Sequence, residues 1–496
     1  MKRKNILCVL AVGVLCGCSS EWNDHYDLSS SVAQQNLMQT IAADPQLDHF
    51  RQLLETTGYD SVLTSSQTYT VWAPTNDALD AASLDGADNG LNIVRNHIAR
   101  YATPTSVGAN QKVCMLNGKS IAFASEDNFG GAPITAANIA AKNGVLHKVS
   151  SIVPYKYNIR EYIDSHSECS LLSRFLARFD TLQYDETLST TYDSVFVNYN
   201  VLLQHPTYGV GDLENEDSVY TMVVATDEAW QKAYDKLSGA FVHYSSNPAE
   251  ADSVRDVQTA QTIVRALASR NLDESKLGGY EKIEASNGTI YLASDEVQDI
   301  DTCLTNAVVT VEAEDMDGRT NMSGTSTYIR NTDMNAAVQG IGNNSYLEVS
   351  SGNVDGGVVF SIPDVLAQKY DVYVDFISPV IDGETLAEQK TKVSFQLRHL
   401  NATGRTTTVN NNTATEISAE QGNIISIKAF SGVEIPVADF YDKLWLSDEN
   451  NSASSIVNST TLQVRTRVSA SDARKGYVRI FRIDRIRFVP ISTTNE

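Results

Sequence analysis

Tyr69-Thr-Val-Trp-Ala-Pro-Thr-Asn-Asp-Ala-Leu79 decides how the chain is read. Tyr69, Val71 and Ala73 alternate with Thr70 and Trp72, and all favour a pleated, half-buried backbone, so the stretch opens as a strand. Pro74 fixes φ and removes an amide donor, which ends the strand near it, and Thr75 stands where a side-chain oxygen can cap a helix. Asp77 falls in the first helical turn, where a negative charge suits the dipole, and Ala78, Leu79, Ala81 and Ala82 carry the helix on. The predicted unit is strand, sharp turn, capped helix.

The unit recurs. Tyr220-Thr-Met-Val-Val-Ala-Thr-Asp-Glu-Ala-Trp230 repeats the apolar strand, the Ala-Thr turn, the acidic first turn and the helix onset, lacking only the proline. Downstream of each copy an Asn-Gly turn feeds a short apolar strand, Asn143-Gly-Val-Leu-His-Lys-Val149 and Asn287-Gly-Thr-Ile-Tyr-Leu-Ala293. Two motifs in one order at similar separations indicate a duplicated domain. Together with Asn96-His-Ile98 on a helix, they resemble the fasciclin-type domain, a compact α/β adhesion module. Residues 36–155 carry the resemblance well. Residues 156–306 form a divergent second copy: Ile263-Val-Arg265 matches Ile93-Val-Arg95, but Ala266-Leu267 stands in place of Asn96-His97.

The length of 496 residues suggests about three domains, each able to bury its own core. A net charge of −23 repels nucleic acid and anionic membranes, so DNA binding and polybasic anchoring are disfavoured. At the start, Lys2, Arg3 and Lys4 precede an apolar run from Ile6 to Leu15 that is too short to span a bilayer. Leu15-Cys-Gly-Cys18 resembles a bacterial lipoprotein signal, which implies removal of residues 1–17 and acylation of Cys18. Residues 18–35 read as an acidic tether resembling those of surface-exposed outer-membrane lipoproteins. Cys114, Cys169 and Cys303 then remain, an odd number with no metal-site spacing. Buried, unpaired thiols are expected, with one disulfide as the alternative.

Further along, Ser31 to Leu54 reads as two helices divided at Asp44-Pro45, a plausible helix start. His97 lies on an apolar helical face and is expected to be a satisfied core histidine, and His147 falls in a strand. Between Tyr184 and Asp217 an extra hairpin is expected around Val195-Phe-Val197, with Tyr192, Tyr199 and Tyr208 as half-buried residues or a sugar-stacking surface.

From residue 307 to 496 the pattern changes to alternating strands, opening with Val308-Val-Thr-Val-Glu-Ala-Glu314 and closing with Arg485-Ile-Arg-Phe-Val489. Eight or more such strands indicate an antiparallel β-sandwich. The opening Val-Glu-Ala-Glu-Asp, the internal Tyr370-Asp-Val-Tyr-Val374 and the closing strand resemble jelly-roll modules of the galactose-binding or carbohydrate-binding type, in which the first and last strands lie close together. The polar stretches 382–392 and 401–420 fit no strand pattern. The fold class expected is thus two α/β (α+β) fasciclin-like domains followed by an antiparallel β-sandwich.

No nucleophile elbow, phosphate loop, zinc motif or dinucleotide fingerprint occurs, so no enzyme, cofactor or metal centre is expected. Binding remains. Sugar recognition needs an exposed aromatic face with amides and acids around it. Tyr328 and Asn331, in a polar loop, are the first candidates, followed by Tyr346, Tyr441 and Trp445, of which Trp445 sits in an apolar run that fits a core position. The resemblance also implies that Glu314 and Asp315 could ligate calcium, although their spacing is not a calcium loop. The expectation is a lipid-anchored surface protein of the outer membrane, an accessory subunit of a glycan-uptake apparatus that binds a glycan or the transporter complex. An adhesin using the fasciclin pair is the alternative.

Overall fold

The computed structural model describes residues 34–82, 89–186, 189, 194–205, 209–268, 272–300, 306–331, 340–378, 390–418, 424–439 and 459–491. Cys18, Cys303, Tyr192, Tyr208, Tyr441 and Trp445 lie outside them. Two compact units result: one of residues up to 159 with 214–219 and 284–288, the other of the remainder.

In the first unit, α1 (Leu37–Ala42), α2 (Asp48–Thr57) and α3 (Tyr59–Thr64) precede β1 (Tyr69–Pro74) and α4 (Asn76–Asp80). Then come α5 (Gly90–Asn96), β2 (Ile98–Arg100), α6 (Thr105–Gly108), β3 (Gln111–Cys114), β4 (Ser120–Phe123), β5 (Asn128–Phe129), β6 (Ala132–Ala141) and β7 (Gly144–Val149). The sheet order is β2-β1-β7-β6-β5, with β1 parallel to β7 and antiparallel to β2. Because β1 is flanked on both sides, all six of its residues are buried rather than half-buried. Pro74 ends the strand as expected. Thr75 takes the N-cap position but makes no side-chain cap bond, whereas Thr226 in the second copy accepts from the Ala229 amide. Asp44 caps the short turn Pro45–Leu47 that leads into α2.

The Asn-Gly pairs prove to be anchors. Asn143, buried, accepts from the Leu37 amide at 2.8 Å and donates to the carbonyls of Leu63 and Ser65 at 2.8 and 2.9 Å, tying α1, α3 and β7 together. Gly144 follows at φ +150°, where an added Cβ would lie 1.8 Å from the Tyr69 carbonyl oxygen, so only glycine fits. Asn287 repeats the arrangement, accepting from the Ile159 amide at 3.0 Å and donating to the Asn215 carbonyl at 3.2 Å. Gly288 has φ +149°.

The second unit opens with α7 (Ile159–Ser165), which begins on the last residue of the first, then α8 (Ser170–Ala177) and the hairpin β8 (Asp180–Tyr184) and β9 (Phe196–Asn200). β10 (Tyr220–Ala225), α9 (Asp227–Leu237), α10 (Pro248–Leu267), β11 (Glu281–Ala285) and β12 (Gly288–Ala293) follow, with sheet order β10-β12-β11. The sandwich comprises β13 (Val309–Glu312), β14 (Arg319–Asn321), β15 (Thr325–Asn331), β16 (Ser345–Ser351), β17 (Gly357–Ser361), β18 (Lys369–Ile377) and β19 (Thr391–Leu400). It continues through β20 (Thr406–Ile417), β21 (Ile424–Glu434), β22 (Thr461–Thr466), α11 (Ala470–Ala473) and β23 (Ile480–Pro490).

One sheet runs β15-β16-β23-β18-β21, with β13 also on β23, and the other runs β14-β17-β22-β19-β20, all antiparallel. Val358, Phe360, Val372, Val374, Phe376, Phe395, Leu397, Val464, Ile486 and Phe488 interdigitate between them. The opening and closing strands are neighbours, as the resemblance implies: Val309 pairs with Phe488. The polar stretch left without a pattern, 401–420, contains the long strand β20, which pairs with β19 across one β-bulge or irregularity.

Candidate functional site

The side chains between the core positions of each sheet face outward. On the six-stranded sheet that face is a ladder of paired charges. Arg330 Nη2 and Arg482 Nε donate to Glu348 at 2.7 and 2.9 Å, and Arg487 donates to both oxygens of Asp375 at 2.7 and 2.9 Å. Burial alone would raise the Glu348 and Asp375 carboxyls, but their arginine bonds outweigh it and hold both below the ordinary range. Tyr373 has the Arg487 guanidinium 5.2 Å and the Lys428 ammonium 5.3 Å from its ring centroid. Glu348 and Asp375 are thus committed to arginines of the protein itself.

This places the residues singled out from sequence. Tyr328 and Asn331 are not in a loop but on the edge strand β15, and three residues of separation turn them to opposite faces. Tyr328 is 48% exposed, with the Arg330 guanidinium 5.1 Å from its ring centroid. Tyr346 is only 4% exposed, packed with Ile377 and Ile341, so no sugar ring reaches it. Tyr441 and Trp445 lie outside the described residues.

The outward face of the five-stranded sheet differs. Gln396 on β19 pairs in register with Gln463 on β22 and Asn410 on β20, and Val359 of β17 lies beside Gln463. One step along, Ser394 is opposite Arg465, whose Nη2 approaches Asn412 Oδ1 at 3.5 Å. Gln396 Nε2 donates to Asn410 Oδ1 at 2.7 Å. The Ser394 hydroxyl and the Arg465 Nε–H are buried without a hydrogen-bond partner. Primary amides, threonine hydroxyls and a guanidinium with unused donors form a row that can answer the alternating donors and acceptors of a polyol. Sequence reasoning missed this row because β20 reads as polar linker. The Thr/Asn alternation of 406–412 was the available signal, and it gains meaning only once β19 lies beside it.

The calcium pair does not assemble. Glu314 is buried against Asn343 and Ser345, while Asp315 is exposed on the lip of an open cleft of about 480 Å³ that also involves Met316, Asp317 and Ser361. Among the described residues no group of three or more acidic, histidine or cysteine side chains is arranged to hold a metal ion. Instead Glu312, Glu314 and Asp484 lie near one another, each with one buried oxygen lacking a hydrogen bond. Burial first, and then mutual repulsion, pushes the Glu312 carboxyl up; burial does the same for Asp484, although its Oδ1 accepts from the Gly342 amide at 2.9 Å. Arg485 Nε stands 3.3 Å from Asp484 Oδ2 but not in hydrogen-bond alignment. The charged form of Asp484 is thus disfavoured, and Asp484→Asn, which keeps the acceptor for Gly342, should stabilise the sandwich by about 1 kcal/mol at pH 7 in calcium-free buffer. Urea midpoints check this, and a loss of stability would show the charge to be needed.

His147 and His97 of the first unit are structural, as expected for His97, which stands at the C-cap of α5 and not on the helical face. Its Nδ1 lies 2.7 Å from the Ile93 carbonyl oxygen and its Nε2 accepts from the Val153 amide at 3.0 Å, which fixes the Nδ1–H tautomer. His147 stacks on Trp72, and its Nε2 is 3.1 Å from the Thr103 carbonyl oxygen. Burial lowers both imidazoles to about 4. Lys119, almost fully buried, is neutralised by Glu216 at 2.6 Å and lies near the Ser286 hydroxyl and the Tyr155 ring. Of the cysteines, Cys169 is a buried free thiol that burial pushes up to about 12, whereas Cys114 is free but exposed on β3, contrary to the expectation of burial.

Comparison with known proteins adds the following. The fasciclin domain model matches residues 45–154, inside the stretch that carries the sequence resemblance. The pig transforming growth factor-beta-induced protein ig-h3 is 26% identical over 129 residues, covering 24% of this chain and 19% of that protein. The chain thus spans about a fifth of that relative's length. Similar solved structures include the CBM22-1 xylan-binding domain of Paenibacillus barcinonensis Xyn10C, 13% identical, covering 38% of this chain and 97% of that one with a TM-score of 0.23. The fasciclin domain pair of the insect cell adhesion molecule Fasciclin I is 15% identical, covering 52% of this chain and 98% of that one with a TM-score of 0.20. Residues 45–154 are therefore similar in sequence to the fasciclin domain, and they carry the α/β sheet built on β1 and β7.

Proposed function

We propose that the chain is a non-catalytic binding protein held at the outer surface of a bacterial outer membrane through lipidated Cys18, where its β-sandwich binds a polysaccharide for an uptake apparatus. The observation that carries the reading is the amide and guanidinium row that Gln396, Asn410, Gln463 and Arg465 form on the five-stranded sheet. Amides and a guanidinium held in a row by strand register offer a polyol several hydrogen bonds at once with little left to order on binding. The paired charges of the opposite face leave no comparable capacity.

The reading is tested with the full mature chain against a panel of soluble polysaccharides by affinity electrophoresis and calorimetry. One or more should bind, and Gln463→Ala and Arg465→Ala should each weaken binding about tenfold, the effect of losing one or two hydrogen bonds, with unchanged melting. Tyr328→Ala should bind like wild type. Loss of binding on Tyr328→Ala alone would move the site to the other sheet. The fasciclin match favours adhesion as a second reading: residues 45–154 would then contact a neighbouring cell, and cell binding unaffected by Gln463→Ala would mark it.

A further inference from the structure

The hairpin β8–β9 is an addition to the second α/β copy that the first copy lacks at the corresponding place. Its root is rigid. Arg160 donates to both Asp180 oxygens at 3.1 and 2.6 Å, and Asn200 Nδ2 reaches Asp180 and the Leu176 carbonyl at 2.7 and 2.9 Å. Beyond the root the hairpin stands in solvent. Tyr184 is directly opposite Phe196, their rings meeting edge to face at 5.7 Å, and Leu182 lies two residues along on the same face. These three apolar side chains are 47, 56 and 66% exposed.

The ladder direction is fixed by the Val201 amide bonding the Phe179 carbonyl and the Asp185 amide bonding the Val195 carbonyl. That alternation turns the amides and carbonyls of Leu182 and Tyr184 away from β9. Among the described residues no backbone hydrogen bond meets them. A two-stranded ribbon with an apolar face in water is marginal by itself, and an unpaired edge beside such a face is a template for a third strand.

The geometry points to strand addition: an extended segment of a partner protein, apolar at alternate positions and lysine- or arginine-bearing between them, pairs with the free edge of β8 and covers Leu182, Tyr184 and Phe196. Charge selects this occupant. Asp185 and Glu186 follow directly on the end of the strand, and the whole chain carries −23, so a second copy would bring like charge to the same edge while a basic segment would be drawn to it.

The probe is an acetylated, amidated hexapeptide alternating lysine and valine, titrated into the full mature chain at moderate salt. Saturable binding should fall about tenfold in the double variant Leu182→Ser, Phe196→Ser, and by a similar factor when alternate peptide amides are N-methylated, because strand pairing uses both the face and the backbone. A glutamate–valine peptide should bind at least tenfold more weakly. The two substituted side chains are exposed, so melting of the variant should be unchanged. Equal binding by the variant or by the N-methylated peptide would reduce the effect to general charge attraction and overturn the proposal, as would no binding at all. A dimer in light scattering that disappears in the variant would assign the edge to a second copy and overturn it equally.

Discussion

Asn143→Ala is expected to destabilise the first unit by about 4 kcal/mol, enough to leave it partly open at 37 °C, since a domain's whole margin is about 5–15 kcal/mol. The side chain is buried and bonds the Leu37 amide and the carbonyls of Leu63 and Ser65, so alanine strands three backbone groups at once away from water. It also frees α1 from the start of β7, and with it Leu37 and Ile41, which are fully buried in the core beneath. Hydrogen exchange read by mass spectrometry should show β1 and β7 opening together, roughly a thousandfold faster than in the wild type. Asn287→Ala, with longer bonds to the Ile159 amide and the Asn215 carbonyl, should cost about half as much. If Asn143→Ala shifted protection of Tyr69–Pro74 by less than 1 kcal/mol, the anchor would be an ornament of the turn and the parallel pairing of β1 with β7 would be self-sufficient.

That anchor shows which parts of the structure were legible in the sequence. Asn143-Gly144 announces a turn at sequence level, and its recurrence at Asn287-Gly288 reveals the duplication. What it does not announce is the reach of the amide to helices some 80 and 106 residues away along the chain. The sandwich strands legible in the sequence, such as β13, β18 and β23, are those whose inward residues are aliphatic or aromatic. β20 was hidden because its outward residues Thr406, Thr408, Asn410 and Asn412 are polar and exposed, while on its inner face only Val409 and Ile417 are apolar residues that reach the core. The binding row escaped for the same reason, since it is made by register between three strands and belongs to none of them alone. Tyr328 has polar surroundings in sequence, yet in the fold they are the edge strand β15, whose Thr327 hydrogen-bonds Asn321 at the end of β14. The buried Tyr346 was beyond reach because Ile377, its packing partner, comes from a strand two places over in the sheet.

Acid should separate the two units. His97 and His147 are both fully buried with imidazoles held at about 4, against about 6.5 in an unfolded chain. A histidine lowered in the fold takes its proton more readily when unfolded, so its contribution is complete above the unfolded value and is lost as pH falls from 6.5 toward 4. A displacement of this size is worth about 3 kcal/mol for each ring, so the first unit should lose about 6 kcal/mol between pH 7 and pH 4.

In the second unit the balance is different. Burial lowers His243, which loses stability in the same direction, but Glu312, Asp439 and Asp484 are raised by burial, and their penalty is relieved as pH falls through their elevated values. The lowered carboxyls Glu348 and Asp375 begin to count only below the ordinary carboxylate range. Thermal scans should therefore show one transition at pH 7 splitting by pH 5, with exchange in β1 and β7 leading and the sandwich core following. Proton resonances of His97 and His147 that titrate near 6.5 in the folded protein would sink the argument, because neither ring would then resist its charge. If instead they stay neutral to pH 5 while the first unit loosens, the cost lies where the structure places it, in two buried imidazoles of which His97 Nε2 accepts from the Val153 amide and His147 Nδ1 from the Asn138 amide, bonds that only the uncharged ring can make.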